Sequence, residues 1–146
     1  MRLSTYFISH GGGPWPYLDG PFRQAFDVLE QSLIAIRTEL REAPRAVLMV
    51  SSHWEERGFT VSSGATPGMV YDYSGFPEHT YHIRYTAPGA PSVAARVKAL
   101  LDAGGLGARL DPERGYDHGT FSIMKPMYPE EAMPIVQLSI DPGYDP

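Results

Sequence analysis

Fifteen glycines and fourteen prolines in a chain of 146 residues set the strongest limit on what this sequence can fold into. Together they make up about one fifth of the chain, where ordinary usage is roughly 7% and 5%. They do not form a low-complexity tract. They gather in four stretches, Gly11 to Pro21, Gly64 to Gly75, Pro88 to Pro91 and Asp111 to Gly119. A chain of this kind has short regular elements joined by long loops of fixed conformation, and in compact domains such loops carry function. The length suits one domain, residues 1–146, around a single core.

Several classes are excluded early. With 42% apolar residues the chain is not generally disordered. No apolar run approaches the roughly 20 residues that span a bilayer. Met1 to Gly13 lacks the basic and long apolar regions of a secretory signal, so a cytoplasmic protein with no membrane partner is expected. The absence of cysteine removes disulfides and thiolate metal sites, leaving His, Asp and Glu as possible ligands. A net charge of −5, with no cluster of Lys and Arg, speaks against nucleic acid as a partner.

Leu3 to Ser9 is β-branched and aromatic and reads as a buried strand. Gly20-Pro21 marks a helix start. Phe22, Phe26, Leu29, Leu33, Ile36 and Leu40 follow at alternating spacings of four and three, with Arg23, Glu30, Arg37 and Arg41 off the stripe. This pattern predicts one continuous amphipathic helix ended by Pro44. Ala46 to Val50 is apolar without alternation, as a central strand covered on both faces would be. Phe59 to Ser62, Gly107 to Leu110 and Ile135 to Ile140 are further strands, and Val93, Val97, Leu100 and Leu101 mark a helix closed by Gly104-Gly105. The fold class is α/β, a single domain with a mainly parallel or mixed sheet and helices packed on its faces.

Of five histidines, His10 and His53 hold matching positions, each after a serine at the end of an expected strand. Ligands of open parallel sheets bind beyond the carboxyl ends of the strands, so two imidazoles there can converge on one metal ion. The same placement also serves to cap a strand and bond a loop carbonyl. His118 lies between glycines in Gly115-Tyr116-Asp117-His118-Gly119, where Asp117 or a carbonyl could orient a ring suited to proton transfer; a turn histidine with no task fits equally. His79 and His82 have a metal-like spacing, but Pro77 and their neighbours favour a solvated or loop-packing pair. Gly11-Gly12-Gly13 lacks the frame of a phosphate loop, and no serine sits in a nucleophile elbow.

Several blocks come in a set order along the chain. They are Phe7-Ile8-Ser9-His10-Gly11-Gly12-Gly13-Pro14, then Val50-Ser51-Ser52-His53-Trp54, then Tyr71-Asp72-Tyr73-Ser74-Gly75-Phe76-Pro77 with Tyr85-Thr86-Ala87-Pro88-Gly89. Gly115-Tyr116-Asp117-His118-Gly119-Thr120-Phe121 and Met127-Tyr128-Pro129 with Pro134-Ile135-Val136-Gln137-Leu138-Ser139 complete the series. The series resembles the class III extradiol ring-cleavage dioxygenases, in the DOPA-dioxygenase-like branch of the protocatechuate 4,5-dioxygenase catalytic-subunit superfamily.

That resemblance implies cleavage of a catechol-type ring with O2, with His10 and His53 as metal ligands and His118 as acid and base. It implies Fe(II) for activity and zinc in some isolated forms. Trp54, Tyr71, Phe76 and Tyr81 are candidate walls for an aromatic ring. Members of the family are nearly twice this length, and their third ligand, Glu or His, follows a later strand. The chain thus reads as the N-terminal portion of the catalytic domain, with Asp141 the best-placed substitute ligand and uncovered apolar faces that invite a homo-oligomer. Two rival readings remain open, a zinc-dependent hydrolase and a non-catalytic half-domain that binds metal weakly and self-associates.

Overall fold

The computed structural model describes residues 3–40 and 42–144; Arg41, placed off the helical stripe above, lies outside them. Its strands are β1 (Val47–Glu55), β2 (Phe59–Ser62), β3 (Ala108–Asp111) and β4 (Ile135–Ile140), in the spatial order β1-β4-β2-β3. β1 runs parallel to β4 and β2 parallel to β3, whereas β2 and β4 meet antiparallel at Val61 and Leu138. The sheet is mixed, and helices pack on both of its faces.

The helices are α1 (Gly20–Gln24), α2 (Asp27–Glu39), α3 (Pro91–Ala103) and α4 (His118–Met127). Alternation along β4 separates two cores. Ile135 faces a large cluster with Leu33 of α2 and Phe121, Ile123 and Met124 of α4. Val136 faces a smaller one with Val61 and Ala94 of α3. No helix among the described residues is long and apolar enough to cross a membrane.

Three expectations are corrected. The segment Leu3–Ser9 forms no ladder with any described strand, and Phe7 is fully exposed. Its β-branched composition favours a pleated, half-buried surface, but that propensity yields a strand only where the tertiary fold brings the segment beside a partner strand. The helix expected from Phe22 to Leu40 breaks between α1 and α2 at Ala25 and Phe26. Phe26 leaves helical geometry (φ −105°, ψ 8°), and its ring stacks on buried Trp15 with centroids 5.4 Å apart. The stripe still turns Leu33 into the core but leaves Phe22 exposed. Finally, β1 lies at the sheet edge, with Leu48 and Val50 open on one face, so it is not a central covered strand.

The sequence pattern does not reveal α4. Gly119, Thr120 and Pro126 weigh against a helix, and eight of its ten residues are buried, so it has no polar face to create a period. Its start is fixed chemically instead: the Asp117 carboxylate accepts from the Thr120 N–H at 3.0 Å as an N-cap.

Leu33→Ala is expected to destabilise the protein by about 2–5 kcal/mol, because the side chain is fully enclosed between α2 and α4. Val28→Ala, at 84% exposure on the same helix, should change stability by less than about 0.5 kcal/mol. Urea unfolding of the two variants beside the parent protein measures both.

Candidate metal centre

Three chain segments bring the site together. His10 ends the extended N-terminal segment, and Gly11, at φ +79°, turns the chain so that the Trp15 indole N–H donates to the His10 carbonyl at 2.7 Å. A Cβ on Gly11 would meet that indole at 2.7 Å, so the turn and the close approach both require glycine. His53 lies where β1 leaves its ladder: the register with β4 jumps from Val50–Leu138 to Glu55–Ile140, an irregularity of the kind that re-aims side chains beside functional sites. His118 is the first residue of α4. Gly119 next to it leaves room for the His53 ring, whose Cδ2 would lie 2.8 Å from a Cβ there.

The three rings meet. Nε2 of His10 and Nε2 of His53 are 2.9 Å apart. The His118 ring centroid lies 4.1 Å from that of His53 and 5.0 Å from that of His10. One ligand atom from each ring falls within 4.8 Å of the others, close enough to hold a single ion. Nδ1 of His10 is buried and finds no partner among the described residues.

Asp72, on the loop after β2, supports two of these rings. Its Oδ1 lies 2.8 Å from His118 Nδ1 and accepts the His118 backbone N–H at 3.0 Å, while its Oδ2 lies 3.1 Å from His53 Nδ1. Burial works against the charge on Asp72, but the hydrogen bonds from the His118 ring and backbone outweigh it and hold the carboxyl below its ordinary value. His10 is shifted down, first by burial and then by the neighbouring His118 and His53 rings. That shift favours the neutral, metal-binding form of the His10 ring. Three neutral imidazole nitrogens suit Fe(II), Zn or Ni, so the residues present fit a borderline divalent cation.

Asp117 does not orient the His118 ring. Its carboxylate, with no exposed surface, accepts from Ser51 Oγ and from the Arg114 guanidinium, each at 2.9 Å, besides capping α4. The orienting carboxylate is Asp72, whose Tyr71-Asp72-Tyr73 setting carries no recognisable spacing to the histidines. His79 bonds the Tyr17 carbonyl at 3.0 Å and His82 pairs with exposed Glu78, so neither joins the cluster. Asp141 is absorbed in its own turn, accepting from the Gly143 N–H at 3.0 Å, and is not part of the histidine group. Among the candidate aromatic walls, Trp54 is buried under Arg114, away from the rings. Tyr71, Phe76 and Tyr81 instead surround Tyr73, and it is Tyr73 that meets His118 edge-on at 5.6 Å.

Comparison with known proteins follows the same residues. The family described as the catalytic LigB subunit of aromatic ring-opening dioxygenase matches residues 4–144. A 4,5-DOPA dioxygenase extradiol of Portulaca grandiflora is 44% identical over 143 residues, covering 97% of this chain and 51% of its own length. Dioxygenase tasH of Hapsidospora irregularis is 40% identical over 143 residues, 95% of this chain and 44% of its own. The 4,5-DOPA dioxygenase extradiol of Escherichia coli K12 is 35% identical over 141 residues, 96% of this chain and 48% of its own. The crystal structure of an uncharacterized Escherichia coli K12 protein superposes with a TM-score of 0.59 at 35% identity, over 76% of this chain and 39% of that one. The chain thus spans about half the length of the relatives it matches.

Asp117→Ala should cost about 3–5 kcal/mol by urea unfolding, since it strands Arg114 and removes the α4 cap together. The metal-free protein should also lose stability as pH falls below 6.5, the ordinary value for His10. The folded state lowers that group's pKa, so in this window the unfolded chain binds more protons and is favoured as pH drops. Urea midpoints measured above and below that pH check the sign.

Proposed function

The chain belongs to the family of catalytic LigB subunits of aromatic ring-opening dioxygenases, and on that premise we propose that it performs metal-dependent extradiol cleavage of a catechol-type ring with O2. The observation that carries this reading is the convergence of His10, His53 and His118 on one point from three separate segments. His10 and His53 would hold the metal, and His118 would move the proton. The relatives named 4,5-DOPA dioxygenase extradiol support a catechol bearing a side chain as the substrate class.

The family is metal-dependent, and Fe(II) is the ion we assign to the active form. Bound there, Fe(II) stabilises the charge of a deprotonated catechol and supplies the redox path to O2, whereas zinc supplies only the former. The chain's own residues do the rest. A neutral His118 offers Nε2 as the acceptor of a hydroxyl proton, because its Nδ1 is engaged by Asp72. The carboxylate stabilises the imidazolium that results, and the ring can return the proton to an oxygen atom as the bond opens. Tyr73, held by its hydroxyl bond to the Thr80 carbonyl, presents an aromatic edge beside His118 against which a flat ring can settle.

A second reading has one specific observation behind it. The His118 ring is as near to His53 as His10 is, so His118 could serve as a third ligand in a three-histidine zinc site that activates water.

Four variants separate the readings by metal analysis and oxygen uptake with a catechol. His10→Ala and His53→Ala should lose the metal. His118→Ala should keep it while ring cleavage by the iron-loaded protein falls about 10²- to 10⁴-fold. Loss of metal in His118→Ala would assign that ring to ligation. Asp117→Asn should affect cleavage less than His118→Ala, since its carboxylate does not touch the ring.

A further inference from the structure

We propose that Asp72 is a positioning residue that sets the tautomers of His53 and His118 together, preparing a metal ligand and a proton acceptor with one carboxylate. The roles of the two rings rest on the functional reading above; the tautomers follow from the geometry alone.

An ionised carboxylate only accepts hydrogen bonds. Asp72 Oδ1 already takes the His118 backbone N–H at 3.0 Å, which a donor at that position would repel. The 2.8 Å hydrogen bond to His118 Nδ1 therefore requires N–H on that atom, and a carboxylate oxygen 3.1 Å from His53 Nδ1 favours N–H there over a lone pair facing the negative charge. In the neutral rings that leaves Nε2 of each as a lone pair. For His53 that lone pair points to Nε2 of His10, 2.9 Å away, which must then carry the hydrogen between them in the metal-free protein. No other side chain reaches either Nδ1 among the described residues.

The loop around Asp72 is built to hold it. Val70 N–H donates to the Tyr116 carbonyl at 2.8 Å, two residues before His118. On either side of Asp72, the Tyr71 hydroxyl donates to the Ile83 carbonyl at 2.6 Å and the Tyr73 hydroxyl to that of Thr80. Both flanking residues are thus tied to the segment Glu78–His82 and its exit, which anchors the stretch of chain that carries the carboxylate. Groups that bond the far nitrogen of a ligating histidine fix its ring and tautomer, and their loss typically lowers metal affinity about 10- to 100-fold. Here one such group serves two rings whose proposed tasks differ.

Asp72→Asn tests this directly. Both hydrogen bonds from His118 go to Oδ1, so the amide carbonyl should take that place and the NH2 should face His53 Nδ1. His53 Nδ1 must then accept, and the ring must switch to the Nε2–H tautomer, while His118 keeps Nδ1–H. Nitrogen-15 NMR of histidine-labelled, metal-free protein at about pH 8, where imidazoles are neutral, reads both rings. The expected result is His53 and His118 as Nδ1–H in the parent, a switch of His53 in Asp72→Asn that His10 follows to Nδ1–H while His118 stays unchanged, and Zn(II) affinity about 10- to 100-fold weaker. Finding either ring as Nε2–H in the parent overturns the proposal without any variant, as does an unchanged His53 in folded Asp72→Asn. Loss of Zn(II) with both tautomers unchanged would make Asp72 a ligand and also overturn it. If the parent opens no catechol ring yet the switch occurs, the functional reading falls and the assignment of Asp72 stands.

Discussion

Asp117 has no surface in contact with water, and its carboxylate is surrounded by donors from three elements. Ser51 reaches it from β1 and Arg114 from the loop before α4, while Thr120 reaches it from within the helix. Its own N–H faces Gln137 Oε1 from β4, while the Gln137 side-chain amide donates to the Gly115 carbonyl at 2.9 Å and its backbone N–H to Ser62 Oγ of β2 at 2.7 Å. A buried charge is tolerated only when it is paired and hydrogen-bonded, and a buried network is stable only when its members are satisfied. These demands lock β1, β2, β4 and the start of α4 into one arrangement.

The site inherits its precision from that lock. His118 follows Asp117 directly, so the cap that starts α4 also places the ring. The His53 backbone N–H donates to Ser51 Oγ at 3.2 Å, and Ser51 donates to Asp117, so the second ring is tied to the same centre. Asp72 approaches from the loop after β2 and faces both rings at Nδ1. Two carboxylates thus divide the work: one fixes the backbone that carries the histidines, the other fixes the direction their nitrogens face. His10 stands apart, held through its carbonyl by Trp15, with no partner for its Nδ1 among the described residues.

Legibility from sequence followed local physics. β2, β4 and α3 were readable because their periodicity and end signals are contained within the elements themselves; Gly105, at φ +76°, ends the last as its position suggests. The positions of His10, His53 and His118 stood out through their glycine and serine neighbours and the ordered blocks around them. Asp72 did not, because nothing near it in the chain hints that His53 and His118 would arrive at its two oxygens. Tyr73 was hidden among Tyr71, Phe76 and Tyr81 for the same reason. The break at Phe26 arises from a ring stacked on Trp15, which no helical periodicity encodes.

By itself the sequence determined an α/β chain of short elements, the faces its helices bury and the residue types available for chemistry, because propensity and periodicity act over a few neighbours. Only the tertiary structure decided which strand lies at an edge, that Leu3–Ser9 stays unpaired, and that α4 exists as a helix buried on nearly all sides. It also decided that three imidazoles share one point and that Asp72, not Asp117, turns two of them. Strand pairing, complete burial and the tautomer of a ring depend on groups tens of residues away, and their energies appear only when the chain has closed around them.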